Sequence, residues 1–103
     1  MDKLNRYREV VGAEREGERI AVEVQSLSGP SPVADLEQAL GQFVLYRSAL
    51  ARQEPDRRLF LAVDAKGYDG ILSEPLGQDT TADLGVRLLI FDPTSRRVVR
   101  WTS

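Results

Sequence analysis

The 103-residue sequence contains no cysteine and no histidine. The absence of cysteine excludes disulfide bridges and zinc–thiolate sites. The absence of histidine excludes a Ser–His catalytic triad and any imidazole metal ligand. A metal could therefore bind only through oxygen atoms, which favours Mg²⁺ or Mn²⁺.

Long apolar runs and an excess of basic residues are also lacking. No run approaches the ~20 residues that cross a bilayer, and no basic leader precedes an apolar segment. We therefore expect a cytoplasmic protein without membrane contact.

The formal net charge is -2, which argues against DNA binding by the whole surface but allows a local basic patch. Without repeats or linkers, the length predicts one domain with one core.

A strand with strict alternation is predicted over residues 17–26. One face carries the apolar residues Ile20, Val22 and Val24, and the other carries Ala21, Glu23 and Gln25. A carboxylate and a long amide therefore stand side by side, as in the E-x-K half of the PD-(D/E)xK nuclease motif, with Gln25 in the lysine position. Glu23 would bind a divalent metal and Gln25 would orient the attacking water. The alternative is a solvated strand face.

The longest helix is predicted over Pro32–Gln53, because Ser31 suits the N-cap, Pro32 the first turn, and Pro55 follows its end. Its apolar positions recur at helical spacing and are Val33, Leu36, Leu40, Phe43, Val44, Leu50 and Ala51. Further strands are predicted at 6–14, 59–63, 86–91 and 98–101, and short helices at 66–72 and 75–82. Gly77 is expected to serve a turn. This order predicts a mixed α/β (α+β) sheet with flanking helices.

Three polar residues on the long helix are candidates for a binding cleft. Gln42 and Tyr46 are four residues apart and therefore share one side of the helix. The pair resembles the Q-x-x-x-Y arrangement that lines the cleft in several nuclease branches, and the alternative is a solvated amide beside a core-edge aromatic. Arg47 falls within the apolar arc. A buried guanidinium needs a carboxylate or a carbonyl as its partner. Arg47 would contact a phosphate, pair with a sheet carboxylate such as Glu23, or reach solvent at the end of its stem.

The order of sequence blocks between Gly12 and Trp101 resembles the XisH family, the fdxN element excision controlling factors. The blocks are EREG (14–17), IAVEV (20–24), GPS (29–31), DLEQALGQF (35–43), LYR (45–47), EPDR (54–57), LAV (61–63), EPLGQ (74–78) and FDP (91–93). The resemblance covers roughly nine-tenths of the chain. It implies a restriction-endonuclease-like fold of the PD-(D/E)xK superfamily and a link to developmental excision of a DNA element in cyanobacteria.

The chain departs from the family pattern at its start. The family has an N-terminal helix and a strand aspartate that reaches the metal, but this chain begins too late for the helix and has Leu4 at the aspartate position. Asp2 is out of place, since an odd register shift turns a side chain to the other face. Glu23 alone would hold hydrated Mg²⁺ poorly. We therefore expect a single, N-terminally truncated domain spanning residues 1–103.

Two functions follow as hypotheses. The first is a nonenzymatic excision-control protein that binds DNA or, preferably, a small XisI-like partner. The second is an Mg²⁺- or Mn²⁺-dependent endonuclease with a degenerate E-x-Q site at Glu23 and Gln25.

Loss of the N-terminal helix predicts an under-covered apolar surface and hence a homo-oligomer or a partner complex. Trp101 and Phe43 are the expected interface anchors. The alternative for Trp101 is that it caps the core of a monomer.

Overall fold

The computed structural model describes residues 10–27 and 29–102. Within them, five strands form one sheet in the order of the sequence, β1-β2-β3-β4-β5. The strands are β1 (Val10–Arg15), β2 (Glu18–Val24), β3 (Arg58–Asp64), β4 (Arg87–Asp92) and β5 (Arg97–Trp101). The helices are α1 (Pro32–Gln53), α2 (Ala65–Asp69) and α3 (Pro75–Asp83), with a 3₁₀ turn at Ile71–Ser73. The predicted mixed α+β architecture is confirmed.

Two antiparallel hairpins flank a parallel centre of the sheet. β1 and β2 are joined by the two-residue turn Glu16-Gly17, and both residues have positive φ angles of 52° and 80°. Such angles belong to the hairpin turns whose twist matches that of the strands. β2, β3 and β4 run parallel, so each connection between them contains helix. β5 returns antiparallel to β4, with a register irregularity between Ile90 and Phe91.

Helix α1 has the bounds that its capping residues predicted. The Ser31 hydroxyl oxygen accepts a hydrogen bond from the Ala34 amide at 3.3 Å, and the helix ends two residues before Pro55. Its buried residues are Leu36, Ala39, Leu40, Phe43 and Leu50. The predicted apolar positions also included Val33, Val44 and Ala51. For these three residues the prediction is wrong, because they are exposed. The helix packs on β3 and the 3₁₀ turn, so only the strip that faces them is covered.

Phe43 lies in the core of the chain itself, with 1% of its surface exposed. It packs in the main hydrophobic cluster between α1 and the sheet. A side chain that is already buried offers no contact area to another molecule. The prediction of Phe43 as an interface anchor is therefore wrong.

Strand β3 is buried on both faces, as is typical of a strand with an uninterrupted apolar run. Leu59, Leu61 and Val63 join the main cluster on the helix side. Phe60 and Ala62 join a second, smaller cluster on the other side. The remaining members of this smaller cluster are Ile20 and Leu89, with Val22, Phe91 and Trp101 packed around them.

The sheet is strongly curled. The Arg15 guanidinium carbon, at the end of β1, lies 4.0 Å from the centre of the Trp101 ring on β5. Four interstrand spacings would separate the two edge strands by about 19 Å in a flat sheet. The Trp101 ring packs edge-on against Phe60, with centroids 5.1 Å apart and an interplanar angle of 85°. Trp101 therefore covers the smaller cluster, as the core-capping alternative expected.

Some predictions concern residues outside the described ranges. They concern the first part of the strand predicted at 6–14. They also concern Leu4, which stands at the position of the metal-binding aspartate in the resembled family, and the nearby Asp2. Within the described ranges, no helix is both long enough and apolar enough to span a membrane.

Candidate functional site

Glu23 is a buried carboxylate near the end of β2. Strand alternation turns its side chain to the same face as Ala21, the face covered by α1. It is paired with Val10 on β1 and Leu61 on β3, and none of its surface is exposed. A buried carboxylate is costly unless hydrogen bonds stabilise it. The neighbouring side chains therefore decide what Glu23 can do.

The Gln25 side chain joins Glu23 to helix α1. Its amide nitrogen Nε2 donates to Glu23 Oε2 at 3.0 Å and to Gln42 Oε1 at 2.5 Å. Both amide hydrogens therefore have acceptors. The Gln25 backbone N–H donates to the Ala62 carbonyl at 3.0 Å and so holds the residue beside β3. We call Glu23, Gln25 and Gln42 the Glu–Gln–Gln cluster.

The Glu23 and Gln25 pair at the end of β2 therefore meets the long helix. Glu23 and Gln25 share the face directed at α1, and Gln42 reaches them from the helix. Tyr46, one turn later, is half-buried and packs against the main cluster. Gln42 is not merely a solvated amide, because its side chain takes part in the cluster. Contact of Gln42 or Tyr46 with DNA stays a prediction.

Arg47 has backbone carbonyls as its partners, one of the two kinds expected for a buried guanidinium, rather than Glu23, which was one alternative. Its Nη1 donates to the carbonyl oxygens of Leu84 at 2.7 Å and Gly85 at 3.4 Å. These carbonyls lie at the end of α3, where backbone acceptors lack intrahelical partners and the helix dipole attracts a cation. The guanidinium carbon also lies 5.3 Å from the centre of the Phe43 ring. Arg47 therefore fastens the end of α3 to α1, and its contact with phosphate stays a prediction.

Within residues 10–27 and 29–102, the cluster offers a single carboxylate, Glu23, to a divalent metal, so Mg²⁺ or Mn²⁺ binding there stays a prediction. Mg²⁺ needs near-octahedral oxygen coordination, usually from one or two carboxylates together with water or substrate. Oε2 of Glu23 already accepts from Gln25. In residues 10–27 and 29–102, no three acidic side chains come together to hold a metal.

A second polar group was not predicted from the sequence. Arg57 Nη1 donates to the Ile20 carbonyl at 2.8 Å, and its side chain is only 15% exposed. Glu54 Oε1 lies 3.2 Å from Arg57 Nε and 2.6 Å from Arg19 Nη2. Arg19 also binds Asp56 at 3.0 Å. The EPDR block at 54–57 was the available signal, and these contacts tie the β1–β2 hairpin to the loop before β3.

The fold and the Glu–Gln–Gln cluster define a mixed α+β protein with a buried carboxylate–amide group between its sheet and its longest helix. Residues 4–99 match the family model described as XisH protein, and the chain belongs to the XisH family. The resemblance found in the sequence is thereby confirmed. Membership of the PD-(D/E)xK superfamily stays a prediction.

Two crystal structures at 1.60 Å are similar to the chain. One is an XisH family protein from Nostoc punctiforme PCC 73102, with 39% sequence identity and a TM-score of 0.85. The other is an fdxN element excision controlling factor protein from Anabaena variabilis, with 36% identity and a TM-score of 0.85. Each match covers 91% of this chain and 74% of the solved chain. No curated protein sequence matches the chain significantly.

Proposed function

We propose that this chain acts in the controlled excision of a DNA element by binding a small XisI-like partner protein, and that it does not cut DNA itself. The name of the Anabaena variabilis relative, an excision controlling factor, supports the excision context. The Glu–Gln–Gln cluster supports the absence of catalysis. Direct contact with DNA belongs to the same proposal, as a function of binding rather than cleavage.

The bridging amide of Gln25 is the observation that carries the proposal. A lysine at this position would place a positive charge beside a metal-bound water, whereas a glutamine amide is neutral and does not take up a proton at neutral pH. Both N–H groups of the Gln25 amide are already engaged, with Glu23 and with Gln42. Glu23 therefore acts as a hydrogen-bond acceptor in a structural cluster.

A cleavage assay tests this part of the proposal. The wild type and Glu23→Ala are incubated with duplex and branched DNA in Mg²⁺ or Mn²⁺, and circular dichroism verifies that the variant is folded. We expect no cleavage by either protein. Metal-dependent cleavage by the wild type that disappears in Glu23→Ala would contradict the proposal.

An Mg²⁺- or Mn²⁺-dependent endonuclease of the PD-(D/E)xK type is the second candidate. The observation in its favour is that Glu23, Gln25 and Gln42 form one hydrogen-bonded cluster, with Tyr46 one helical turn away. A degenerate E-x-Q site would have this arrangement. The same assay decides between the two candidates.

Partner binding needs a separate measurement. Light scattering of the chain across a concentration series, with and without a purified XisI-like protein, gives the mass of each species. We expect a defined complex heavier than either protein alone, with self-association as the other predicted state. A monodisperse monomer whose mass is unchanged by the added protein would reject the proposal.

A further inference from the structure

Strand β5 is an edge of the sheet with an open outer side. Among the strands of residues 10–27 and 29–102, it pairs only with β4 and stands last in the strand order. An antiparallel ladder leaves every second backbone N–H and C=O of an edge strand directed away from its neighbour. Across the described ranges, no backbone group of another strand, helix or loop bonds the outer side of β5. Such an edge can pair with a strand of another chain.

The side chains of this edge combine apolar and cationic groups. Val98 is 46% exposed and Val99 is 61% exposed. They stand between Arg97 and Arg100, and we call these four residues the β5 edge surface. The Arg97 side chain has no hydrogen bond or ion pair within the described part of the chain. The Arg100 guanidinium carbon lies 4.5 Å from the centre of the Tyr68 ring. The four residues of the β5 edge surface carry only positive charge, although Asp92 stands opposite Arg97 on β4, Asp69 lines a concavity with Arg100, and the whole chain has a net charge of -2.

Two concavities adjoin β5 on the helix side of the sheet. The smaller, of about 190 Å³, is lined by Ala65, Tyr68, Asp69, Ile90, Val99 and Arg100. The larger, of about 610 Å³, shares Tyr68 and extends past Thr102 to Arg87. A strand paired with β5 would direct alternate side chains to this side at intervals of about 7 Å. The two concavities offer space for such side chains, and each has an arginine in its lining.

We infer that the β5 edge surface takes up an acidic, extended segment of the partner protein as a sixth strand of the sheet. The inference rests on the proposed function, since it specifies the chemistry by which the partner is bound. Backbone hydrogen bonds would provide affinity, the valines would contact apolar side chains, and the arginines would pair with carboxylates.

Charge favours such a segment over the other possible occupants. The β5 strand of a second copy could pair antiparallel with this one so that Val98 lies opposite Val99. In that register Arg97 would lie opposite Arg100, and like charges that face each other are destabilising. DNA phosphates would engage the two arginines but would leave the valines and the open backbone groups unused. An acidic strand with apolar side chains would contact the arginines, the valines and the open backbone groups together.

Labelled peptides provide the direct test. Fluorescence anisotropy compares a peptide of alternating Glu and Val with its Gln–Val and Lys–Val analogues. We expect the acidic peptide to bind at least about tenfold more tightly than either analogue. The double variant Arg97→Glu/Arg100→Glu should lose at least about tenfold in this affinity. Arg52→Glu, a charge reversal on α1, is the matched control and should bind like the wild type.

Hydrogen exchange on the wild type gives a reading that does not depend on any variant. The amides of β5 should become protected when the acidic peptide binds. Equal affinity for the three peptides, unchanged affinity of the double variant, or unprotected β5 amides would each overturn the inference. Two further results would overturn the inference. If duplex DNA bound the wild type but not the double variant, DNA would be the occupant of the edge. If the wild type formed a dimer and the double variant did not, a second copy of the chain would be the occupant.

The partner protein separates this inference from the proposed function. If the XisI-like protein binds the wild type and the double variant equally, the inference fails and the proposed function stands. If the protein does not bind the wild type, the proposed function fails, and the peptide series still decides which charge the edge prefers. Loss of partner binding in the double variant but not in Arg52→Glu supports both.

Discussion

At the scale of single residues, one side-chain amide joins two elements of the fold. Gln25 follows β2 directly, yet its amide nitrogen contacts both the buried carboxylate of β2 and the side chain of Gln42 on α1. Removing a partner from a buried acceptor costs more than the mean net contribution of a hydrogen bond, because the acceptor stays desolvated. Gln25 should therefore matter for stability whether or not it contacts a ligand.

We predict that Gln25→Ala lowers the free energy of unfolding by about 1–3 kcal/mol, since Glu23 then loses a donor inside the protein. Urea denaturation followed by circular dichroism measures the change. Gln38→Ala, an exposed glutamine on the same helix as Gln42, is the control and should stay within about 0.5 kcal/mol of the wild type. Equal midpoints for the two variants would show that the cluster contributes nothing to stability.

Two glycines should respond to alanine with opposite signs. Gly77 lies inside α3, not in the expected turn, and an added Cβ would overlap the Ile71 carbonyl oxygen and lie 2.7 Å from the Leu72 Cα. Backbone atoms cannot rotate away, so Gly77→Ala should cost about 1–3 kcal/mol or more. Gly41, on α1, has no atom within 4 Å of such a Cβ, so Gly41→Ala should stabilise by about 0.5–1 kcal/mol.

Thermal unfolding of both glycine variants measures this difference. A Gly77→Ala protein as stable as the wild type would mean that α3 and the 3₁₀ turn are not held in close backbone contact. A destabilised Gly41→Ala protein would mean that Gly41 has a role beyond helix formation.

At the scale of elements, the sequence predicts best where the determining signals are local. The bounds of α1 follow from Ser31, Pro32 and Pro55, and the β1–β2 turn follows from Glu16-Gly17. The position of Glu23 and Gln25 on one face follows from the period of a strand. Each of these signals lies within a few residues of the structure that it determines.

What the sequence could not provide depends on residues that are distant along the chain. Glu23 was one alternative partner for Arg47, but the guanidinium instead contacts carbonyls at the end of α3, a part of the chain that helical periodicity does not place. The width of the buried strip on α1 depends on how the helix crosses the sheet, so Val33 and Val44 were misassigned. Helical periodicity identifies an apolar face but not the part of it that another element covers.

The N-cap of α1 provides a test at this scale. Ser31→Ala removes the acceptor for the Ala34 amide and should destabilise the protein by about 1 kcal/mol. For a domain of this size that corresponds to a fall in Tm of about 4–8 °C. Ser31→Asp keeps a capping oxygen and adds a favourable charge at the helix start, so its Tm should stay near or above that of the wild type. Equal Tm values for the two variants would exclude a capping role.

At the scale of the whole molecule, the curled sheet brings side chains of its two edge strands into contact on one face. Arg15 on β1 lies over the Trp101 ring on β5 and 6.0 Å from the centre of the Phe60 ring. We predict that Arg15→Gln lowers the free energy of unfolding by about 0.5–2 kcal/mol through loss of the cation–π contacts. Urea denaturation measures the loss, with the exposed Arg97→Gln as a neutral control. No difference between these variants would show that the contact does not stabilise the curl.

The contact between Arg15 and Trp101 also has a spectroscopic consequence. Trp101 is the only tryptophan in the chain, and its native surroundings include a residue of the N-terminal hairpin as well as the central strand. Isolated hairpins form in about 1–10 μs, whereas pairings between distant parts of a chain form more slowly. Indole emission therefore changes fully only when both hairpins have docked on β3. In a stopped-flow refolding experiment, the emission of Trp101 would therefore report the rate of the step in which both hairpins have docked on β3.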